Sequence, residues 1–317
     1  GVPRIYEKVY SNLKSTLDSK AVIRIGLKIP GLKKVLQKAV KKKIGMVNCK
    51  YAITGAAPIN PDILRLFHHI GVPLYEGYGM TETTAGASIN YKGNMKIGSV
   101  GKTLPGGTEL KTDTDGEIMF RGRHVMKGYY NNPTATAEVM DGDWLRSGDI
   151  GKIDSEGFVT ITGRKKELYV SSGGKNIAPL VIEETMKAIP LVSQCFLVGD
   201  ARKFCSALLT LDVSAILRDK FGMDGAHLPK DPAKQVALLN EQGHQLSEYT
   251  DSAEIHAEIE AQVMELNKQF APPEQIKKFT ILPRDFTVDD GELTPTLKIR
   301  RIQIRENWAS EIEDMYA

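Results

Sequence analysis

Residues 50–82 read KYAITGAAPINPDILRLFHHIGVPLYEGYGMTE, and the change of pattern along them decides the fold. Lys50 to Thr54 is a short run of strand formers that stops at the loop Gly55-Ala56-Ala57-Pro58. Asn60 then offers a side-chain oxygen as a helix cap, and Pro61 suits the first helical position, where no backbone N–H is needed. Ile63, Leu66, Phe67 and Ile70 follow at i, i+3, i+4 and i+7, the spacing of one apolar helix face. After Gly71, Val72 to Glu76 reads as a second strand that runs into Gly77-Tyr78-Gly79-Met80-Thr81-Glu82. In a strand, helix, strand unit the two strands lie parallel, because the helix carries the chain back to the same end of the sheet. The loops after both strands then emerge at the carboxyl edge, where open α/β sheets bind their ligands. The two Gly-containing loops should therefore face one crevice.

Upstream, Arg24 to Gly45 carries Leu32, Val35, Leu36, Ala39 and Val40 at helical spacing, with Lys33, Lys34, Lys38, Lys41, Lys42 and Lys43 between them. The commoner reading of such a helix is a solvated outer face on a packed element; the other is peripheral contact with an anionic membrane through Lys33 to Lys43. Downstream, residues 98–163 become rich in Gly, Thr and short alternating strands, with turns at Asp113-Thr114-Asp115-Gly116 and Asp154-Ser155-Glu156-Gly157. A third segment starts near Arg164, with a helix at Pro179 to Ile189, a hairpin from Gln194 to Leu211 and helical patterns from Asp231 to Phe270. A last helix, Ile304 to Met315, puts Ile304, Trp308, Ile312 and Met315 on one stripe. The division expected is 1–97 as an α/β portion, 98–163 as a small β subdomain and 164–317 as a C-terminal α+β domain.

The bulk properties narrow the partners. The 317 residues exceed the roughly 150 of one ordinary domain, which favours two. Apolar residues form 41% and charged residues 26% of the chain, ordinary globular usage. Lys plus Arg exceed Asp plus Glu by only 42 to 39, so a net +3 gives no electrostatic case for nucleic acid. Cys49, Cys195 and Cys205 are scattered without metal spacing, which points to reduced thiols and a cytoplasmic setting. No apolar run reaches the roughly 20 residues of a membrane span, and Gly1-Val2-Pro3-Arg4 is neither a leader nor a start Met, so the chain is expected to begin within a longer protein.

Three tempting motifs fail. Gly101-Lys102-Thr103 looks like the end of a phosphate-binding P-loop, but the Gly required five positions earlier is Lys96. Asp113 and Asp115 before Gly116 suit a hairpin turn better than a calcium loop, since Lys111 stands two positions before Asp113. His68 and His69 are adjacent on a helix and point apart, without a partner at metal spacing. What remains is a set spread along the chain. Gly77 and Gly79 allow close backbone approach, Tyr78 offers an aromatic face, Thr81 a hydroxyl for phosphate and Glu82 a carboxylate for Mg²⁺. Ser147-Gly148-Asp149 ends in a carboxylate suited to ribose hydroxyls, and Gly163-Arg164-Lys165-Lys166 adds a guanidinium.

Together with Gly55 to Pro58 and Glu292-Leu293-Thr294-Pro295-Thr296-Leu297-Lys298-Ile299, these motifs follow the order and approximate spacing of the adenylate-forming acyl-CoA synthetases. The chain resembles that family over nearly its whole length. Leu-Thr-Pro-Thr-Leu-Lys and the opening Val2 to Lys8 are most similar to the long-chain fatty acyl-CoA branch. The resemblance implies the C-terminal part of an α/β adenylate-forming N-domain followed by a mobile C-terminal domain. It also implies ATP or AMP, Mg²⁺, coenzyme A and a fatty acid as ligands. Gly55, Ala56, Ala57, Pro58, Gly77 and Gly79 would border the adenine with Tyr78 stacking on it. Thr81 would hold a phosphate, Glu82 the Mg²⁺, Asp149 the ribose, and Arg164 a second ribose or phosphate contact. Lys298 would be the catalytic lysine and Lys166 the hinge, with Ser172, Gly173 and Gly174 along the pantetheine path.

Two departures accompany the resemblance. Leu297 stands where many relatives have Gly before the catalytic Lys, as in the long-chain branch. The family's Gly-x-Pro-Lys loop, which grips the β and γ phosphates, is absent from these residues, so residues 1–317 alone are expected to adenylate poorly and to depend on an N-terminal remainder of the same protein. The alternatives are an adenylate-forming ligase using another acid or a carrier-protein acceptor, and a non-catalytic nucleotide-binding or interaction fragment.

Overall fold

A computed structural model describes residues 1–3, 5–7, 9, 10, 13, 29–170, 176–225, 227–229, 231–295 and 297–317. Ser172, Gly173, Gly174 and Thr296, and the beginning of the basic segment at residues 24–28, lie outside the described residues. The chain divides into two compact units, Gly1–Lys166 and Glu167–Ala317.

In the first unit, β1 (Ala52–Thr54) and β2 (Leu74–Tyr78) pair in parallel, with Ala52 opposite Leu74 and Thr54 opposite Glu76. The helix between them, Pro61–His69, starts as its sequence dictates: Asn60 Oδ1 accepts from the Asp62 amide at 2.8 Å and Pro61 fills the first turn. It buries Ile63, Leu64 and Phe67 against Ala52, Val72 and Leu74, and Tyr6 meets Phe67 edge-on at 5.5 Å. Leu66 is only partly buried, so Leu64 takes its place on the inner face. His68 donates a ring N–H to the Leu74 carbonyl at 2.7 Å, tying the helix to β2.

The sheet then continues antiparallel through β3 (Ser88–Ile89) and β4 (Lys102–Thr103), past residue 98, where composition alone drew a boundary. The reason is the core: Val100 is buried with Ala87, Phe120, Leu145 and Val159, and its amide donates to the Val159 carbonyl at 2.8 Å. A second, antiparallel sheet holds β5 (Glu109–Thr112), β6 (Glu117–Arg121), β7 (Met140–Asp141), β8 (Trp144–Ile153) and β9 (Val159–Arg164). The Asp113–Gly116 segment is the β5–β6 hairpin turn, with Gly116 at φ +83°.

In the second unit, β10 (Tyr169–Val170) and β11 (Asn176–Ile177) form a short ribbon. The centre is a three-stranded sheet of β12 (Val192–Val198), β13 (Cys205–Leu211) and β14 (Ile276–Ile281), with the first pair antiparallel and the second parallel. β12 and β13 are buried on both faces, which explains their nearly unbroken apolar runs. Cys195 and Leu197 face Ile182, Met186 and helix Ala253–Asn267, whereas Phe196 and Val198 face Ile304, Trp308 and Ile312. Cys195 and Cys205 are buried free thiols, and Cys49 is a partly exposed one.

Two elements differ from their sequence reading. The basic helix starts at Pro30 and ends at Lys43, because Pro is favoured at a first turn and disfavoured further in. The last helix is two, Arg301–Asn307 and Ala309–Asp314, broken at Trp308 (φ −118°, ψ 31°), though the expected stripe is buried. Among the described residues, no helix is long and apolar enough to cross a membrane.

Gly101 offers a sharp test of the first unit. It sits at φ +83°, and a Cβ there would lie 1.9 Å from the Ile89 carbonyl carbon. Gly101→Ala should destabilise this unit by about 3 kcal/mol in urea denaturation, because backbone rather than a flexible side chain must move. Gly106→Ala, at φ +100° but with open space around it, should cost only about 1 kcal/mol.

Candidate functional site

The carboxyl ends of β1 and β2 bring the first two motifs together. A Cβ on Gly55 would stand 2.9 Å from the Gly77 carbonyl oxygen, so the Gly55 to Pro58 loop runs against the Gly77-Tyr78-Gly79 turn. Ala56 adopts φ +72° and is exposed with Ala57, while Pro58 is half-buried. Gly79 is closed in more tightly, since a Cβ would lie 2.5 Å from the Ala85 carbonyl. Met80 organises the turn that follows: its carbonyl accepts from the Thr83 and Ala85 amides, both at 3.0 Å, and its amide donates to Thr83 Oγ1 at 3.0 Å. Thr83 is thereby buried as a structural residue, and Thr81 is left exposed with its hydroxyl available.

Three motifs meet at Asp149. This carboxylate is 6% exposed; Tyr78 donates its hydroxyl to Oδ2 at 2.6 Å, and Arg164 Nε lies 2.9 Å from Oδ1. The last contact follows from β8–β9 register, which puts Asp149 opposite Arg164. Burial and then the neighbouring Asp149 charge push the Tyr78 phenol far above its ordinary range, so it remains a donor. The Tyr78 ring packs on Phe120 at 5.6 Å. Glu117, which sequence reading passed over, braces the same region: its carboxylate accepts from the Gly148 amide at 2.9 Å, Lys165 Nζ at 2.9 Å and Arg146 at 3.2 Å. Burial opposes its charge, but Lys165, the Gly148 amide and Arg146 outweigh burial and hold it below the usual carboxylate range.

Glu82 has a different setting. Its Oε1 accepts from the Tyr129 hydroxyl at 2.8 Å and its carbonyl from the Met126 amide at 2.7 Å. No cluster of three or more His, Cys, Asp or Glu able to hold a metal occurs among the described residues. One partly exposed carboxylate is nevertheless a suitable partner for Mg²⁺ that arrives on nucleotide phosphates, since Mg²⁺ commonly takes one or two carboxylates and completes its shell with phosphate and water. Tyr129 was missed by sequence reading because its partner is 47 residues away; the cue was the aromatic pair Tyr129-Tyr130 after Gly128.

Lys298 belongs to the second unit, where it is exposed at the end of a small hairpin; Lys166 is the last residue of the first unit. A further buried acid, Glu76, lies directly before Gly77. Burial pushes its carboxyl up to about 8 against the pull of the Ile59 backbone N–H. Its register partner Thr54 is fully buried, and Thr54 Oγ1 has no hydrogen-bond partner among the described residues.

The two units, the parallel β1–β2 core and the motif cluster at Asp149 define the architecture of adenylate-forming enzymes. The fold is that of the adenylation domain of a carboxylic acid reductase from Segniliparus rugosus, solved with AMP and a co-purified carboxylic acid; the TM-score is 0.70 at 22% identity, over 100% of this chain and 46% of that one. Residues 1–130 match the family described as AMP-binding enzyme. The chain is 37% identical to the long-chain-fatty-acid–CoA ligase FadD15 of Mycobacterium bovis, over 99% of this chain and 54% of that protein. It is 35% identical to the long-chain-fatty-acid–CoA ligase ACSBG2 of Gallus gallus, over 100% of this chain and 46% of that protein. Residues 1–130 thus carry the match to the AMP-binding enzymes, and similarity to the long-chain fatty-acid–CoA ligases runs along the whole chain. It spans about half the length of these relatives.

Glu76 gives the first unit a pH signature. Its folded carboxyl titrates near 8 instead of 4.5, so between those values the folded state binds more protons than the unfolded state. Stability should therefore fall as pH rises through this window. Glu76→Gln should remove that slope and raise the melting temperature at pH 8.5 more than at pH 5, read by thermal denaturation at both values.

Proposed function

We propose that this chain forms part of a Mg²⁺- and ATP-dependent long-chain fatty acid–CoA ligase that works through an acyl adenylate. The observation that carries this reading is the bonding of Tyr78, Asp149 and Arg164, which joins three of the motifs shared with adenylate-forming enzymes into one polar cluster. Asp149, oriented by Tyr78 and Arg164, would accept from the ribose hydroxyls. The Gly55 to Pro58 and Gly77 to Gly79 backbone would border the adenine, with Tyr78 beside it. Thr81 would donate to a phosphate, and Glu82 would hold the Mg²⁺ that neutralises phosphate charge.

In the first half-reaction a fatty carboxylate oxygen attacks the α-phosphorus. A new O–P bond forms as the bond to the β-phosphate oxygen breaks, and pyrophosphate leaves with that electron pair. Negative charge gathers on the α-phosphoryl oxygens, where the Lys298 ammonium would stabilise it. In the second half-reaction the thiol of coenzyme A loses its proton and attacks the acyl carbonyl, and AMP leaves. The second unit would turn about a hinge at Lys166 between the two steps, a conformational gate on the chemistry. Gly173 and Gly174 would border the path of the pantetheine arm.

The test is ATP–pyrophosphate exchange with palmitate and Mg²⁺, using the whole protein that carries this chain. Lys298→Ala should lower exchange about 100-fold or more, the scale for loss of a transition-state charge partner. Exchange indifferent to Lys298 would overturn the assigned role, and acyl transfer to a carrier protein without coenzyme A would overturn the acceptor. Residues 1–317 alone should exchange poorly; robust exchange would show that they need no further phosphate loop.

A second reading concerns the basic helix. In Pro30–Lys43, Val40 packs on the core and Gln37 donates to the His69 carbonyl at 2.8 Å. The outer side leaves Leu32 41% and Val35 64% exposed among lysines, without an acidic residue in the helix. Apolar side chains flanked by Lys fit an anionic bilayer surface. The whole protein should sediment with phosphatidylglycerol-containing vesicles at low salt, and Val35→Asp together with Lys38→Glu should abolish this. No sedimentation at low salt would remove the reading.

A further inference from the structure

Lys298 is carried by a hairpin whose root is more heavily fixed than its tip. Thr294 and Lys298 face each other: the Thr294 amide donates to the Lys298 carbonyl at 2.8 Å, and the Lys298 amide donates to Thr294 Oγ1 at 3.0 Å. Leu293 bridges Ile299 in antiparallel fashion, and the Arg300 amide donates to the Glu292 carbonyl at 2.8 Å. Within the turn, Leu297 adopts φ +62°, and its amide donates to the Thr294 carbonyl at 2.7 Å. A branched L-residue in the left-handed region costs about 1 kcal/mol or more. With Leu297 46% exposed, packing returns little of that cost, so the hairpin's own bonds must hold the conformation.

One side chain at the hairpin root adds a second set of bonds. Glu292 is fully buried. Its Oε2 accepts from Arg284 Nη1 at 2.7 Å and from the Thr287 amide at 3.0 Å. Its Oε1 accepts from Arg284 Nη2 at 3.0 Å, Asn307 Nδ2 at 3.1 Å and Trp308 Nε1 at 2.7 Å. Segment 284–287 is thereby fastened to one side of the root, and the helix that follows the hairpin to the other. Arg284 also lies over the Trp308 ring at 4.9 Å, and the break in the last helix falls at Trp308. Burial opposes the Glu292 charge, but Arg284, Asn307, the Thr287 amide and Trp308 outweigh it and keep the carboxyl below its usual range.

We propose that Glu292 is a positioning residue for Lys298: its buried carboxylate locks the hairpin root to Arg284, Thr287, Asn307 and Trp308, and so fixes where the ammonium is presented. This rests on the role given above to Lys298 in adenylation. Because Lys298 would act on the transferring α-phosphoryl group and not on thiol attack, a displaced hairpin slows one half-reaction and spares the other. A packing role alone would not separate the two.

The experiment uses the whole protein and measures two rates. One is palmitate-dependent ATP–pyrophosphate exchange; the other is palmitoyl-CoA formation from supplied palmitoyl adenylate and coenzyme A. Glu292→Gln turns an acceptor into an amide donor facing Arg284, and should lower exchange about 10- to 100-fold, the scale for misplacing a catalytic group by about 1 Å. Thioester formation should stay within about twofold of the parent rate, a free-energy change of about 0.4 kcal/mol. Trp308→Phe removes only the Nε1–H donor and keeps a ring beside Arg284. It should give the same selective loss at smaller size, and it decides the matter if circular dichroism shows Glu292→Gln unfolded. Unchanged exchange, or equal loss in both half-reactions, in the folded variant would overturn the proposal. Lys298→Ala, run in parallel, separates the two levels: if exchange survives it, the role given to Lys298 fails, whatever Glu292 does.

Discussion

The parallel pairing of Ala52–Thr54 with Leu74–Tyr78 is the constraint from which the first unit's site follows. Because both strands point the same way, the Gly55 and Gly77 loops leave at one edge and touch. Tyr78 is the last residue of its strand, and its hydroxyl reaches Asp149, 71 residues further on. Asp149 in turn stands opposite Arg164 in the neighbouring strand pair. Loss of the β1–β2 register would therefore misplace motifs that share no sequence neighbourhood with it. Glycine is needed at Gly55 and Gly79 for the same reason, since a single methyl group at either would run into backbone.

Buried carboxylates fall into two kinds here, and the difference is in their donors. Asp149, Glu117, Glu183 and Glu292 are each buried with a guanidinium close by. Glu183 receives Arg301 through bonds of 2.8 and 2.6 Å and also accepts from the Leu197 amide at 2.8 Å. Ion pairing and directed hydrogen bonds offset the desolvation of such acids, and removing one partner would leave a costly unpaired charge. Among the described residues no cation pairs with Glu76, and burial dominates its titration. A near-neutral carboxyl beside an unpartnered Thr54 hydroxyl, directly before both glycine loops, is less tightly satisfied than the rest of the core.

Much of this was legible from local chemistry. Asn60 and Pro61 announce their helix, and the strand-forming runs between Gln194 and Leu211 announce a hairpin. The Asp113–Gly116 turn follows from its residues as well. Elements whose existence depends on distant partners were not legible. β3 and β4 are two residues each, too short to leave a periodic pattern, and they exist because β2 and the Val100 cluster hold them. The break at Trp308 has no Pro or Gly to mark it, and falls at a residue whose indole N–H is committed to Glu292. Glu117 and Tyr129 escaped notice for the same reason: a Glu or Tyr in a β-rich segment is unremarkable until its partner, 29 to 48 residues away, is in place.

The Leu297 turn shows how a local rule can be broken without loss of order. Composition favours Gly at φ +62°, because Leu pays a steric cost there that Gly does not. A Gly, however, would also widen the range of backbone conformations open to the turn, and with it the positions available to Lys298. Leu narrows that range, provided the hairpin root is strong enough to hold the strained conformation. The root qualifies, since a fully buried Glu292 binds a guanidinium, a backbone amide, an amide side chain and an indole at once. Strain at the tip and redundancy at the root are thus two parts of one arrangement, in which local instability is tolerated because it limits where an exposed ammonium can go.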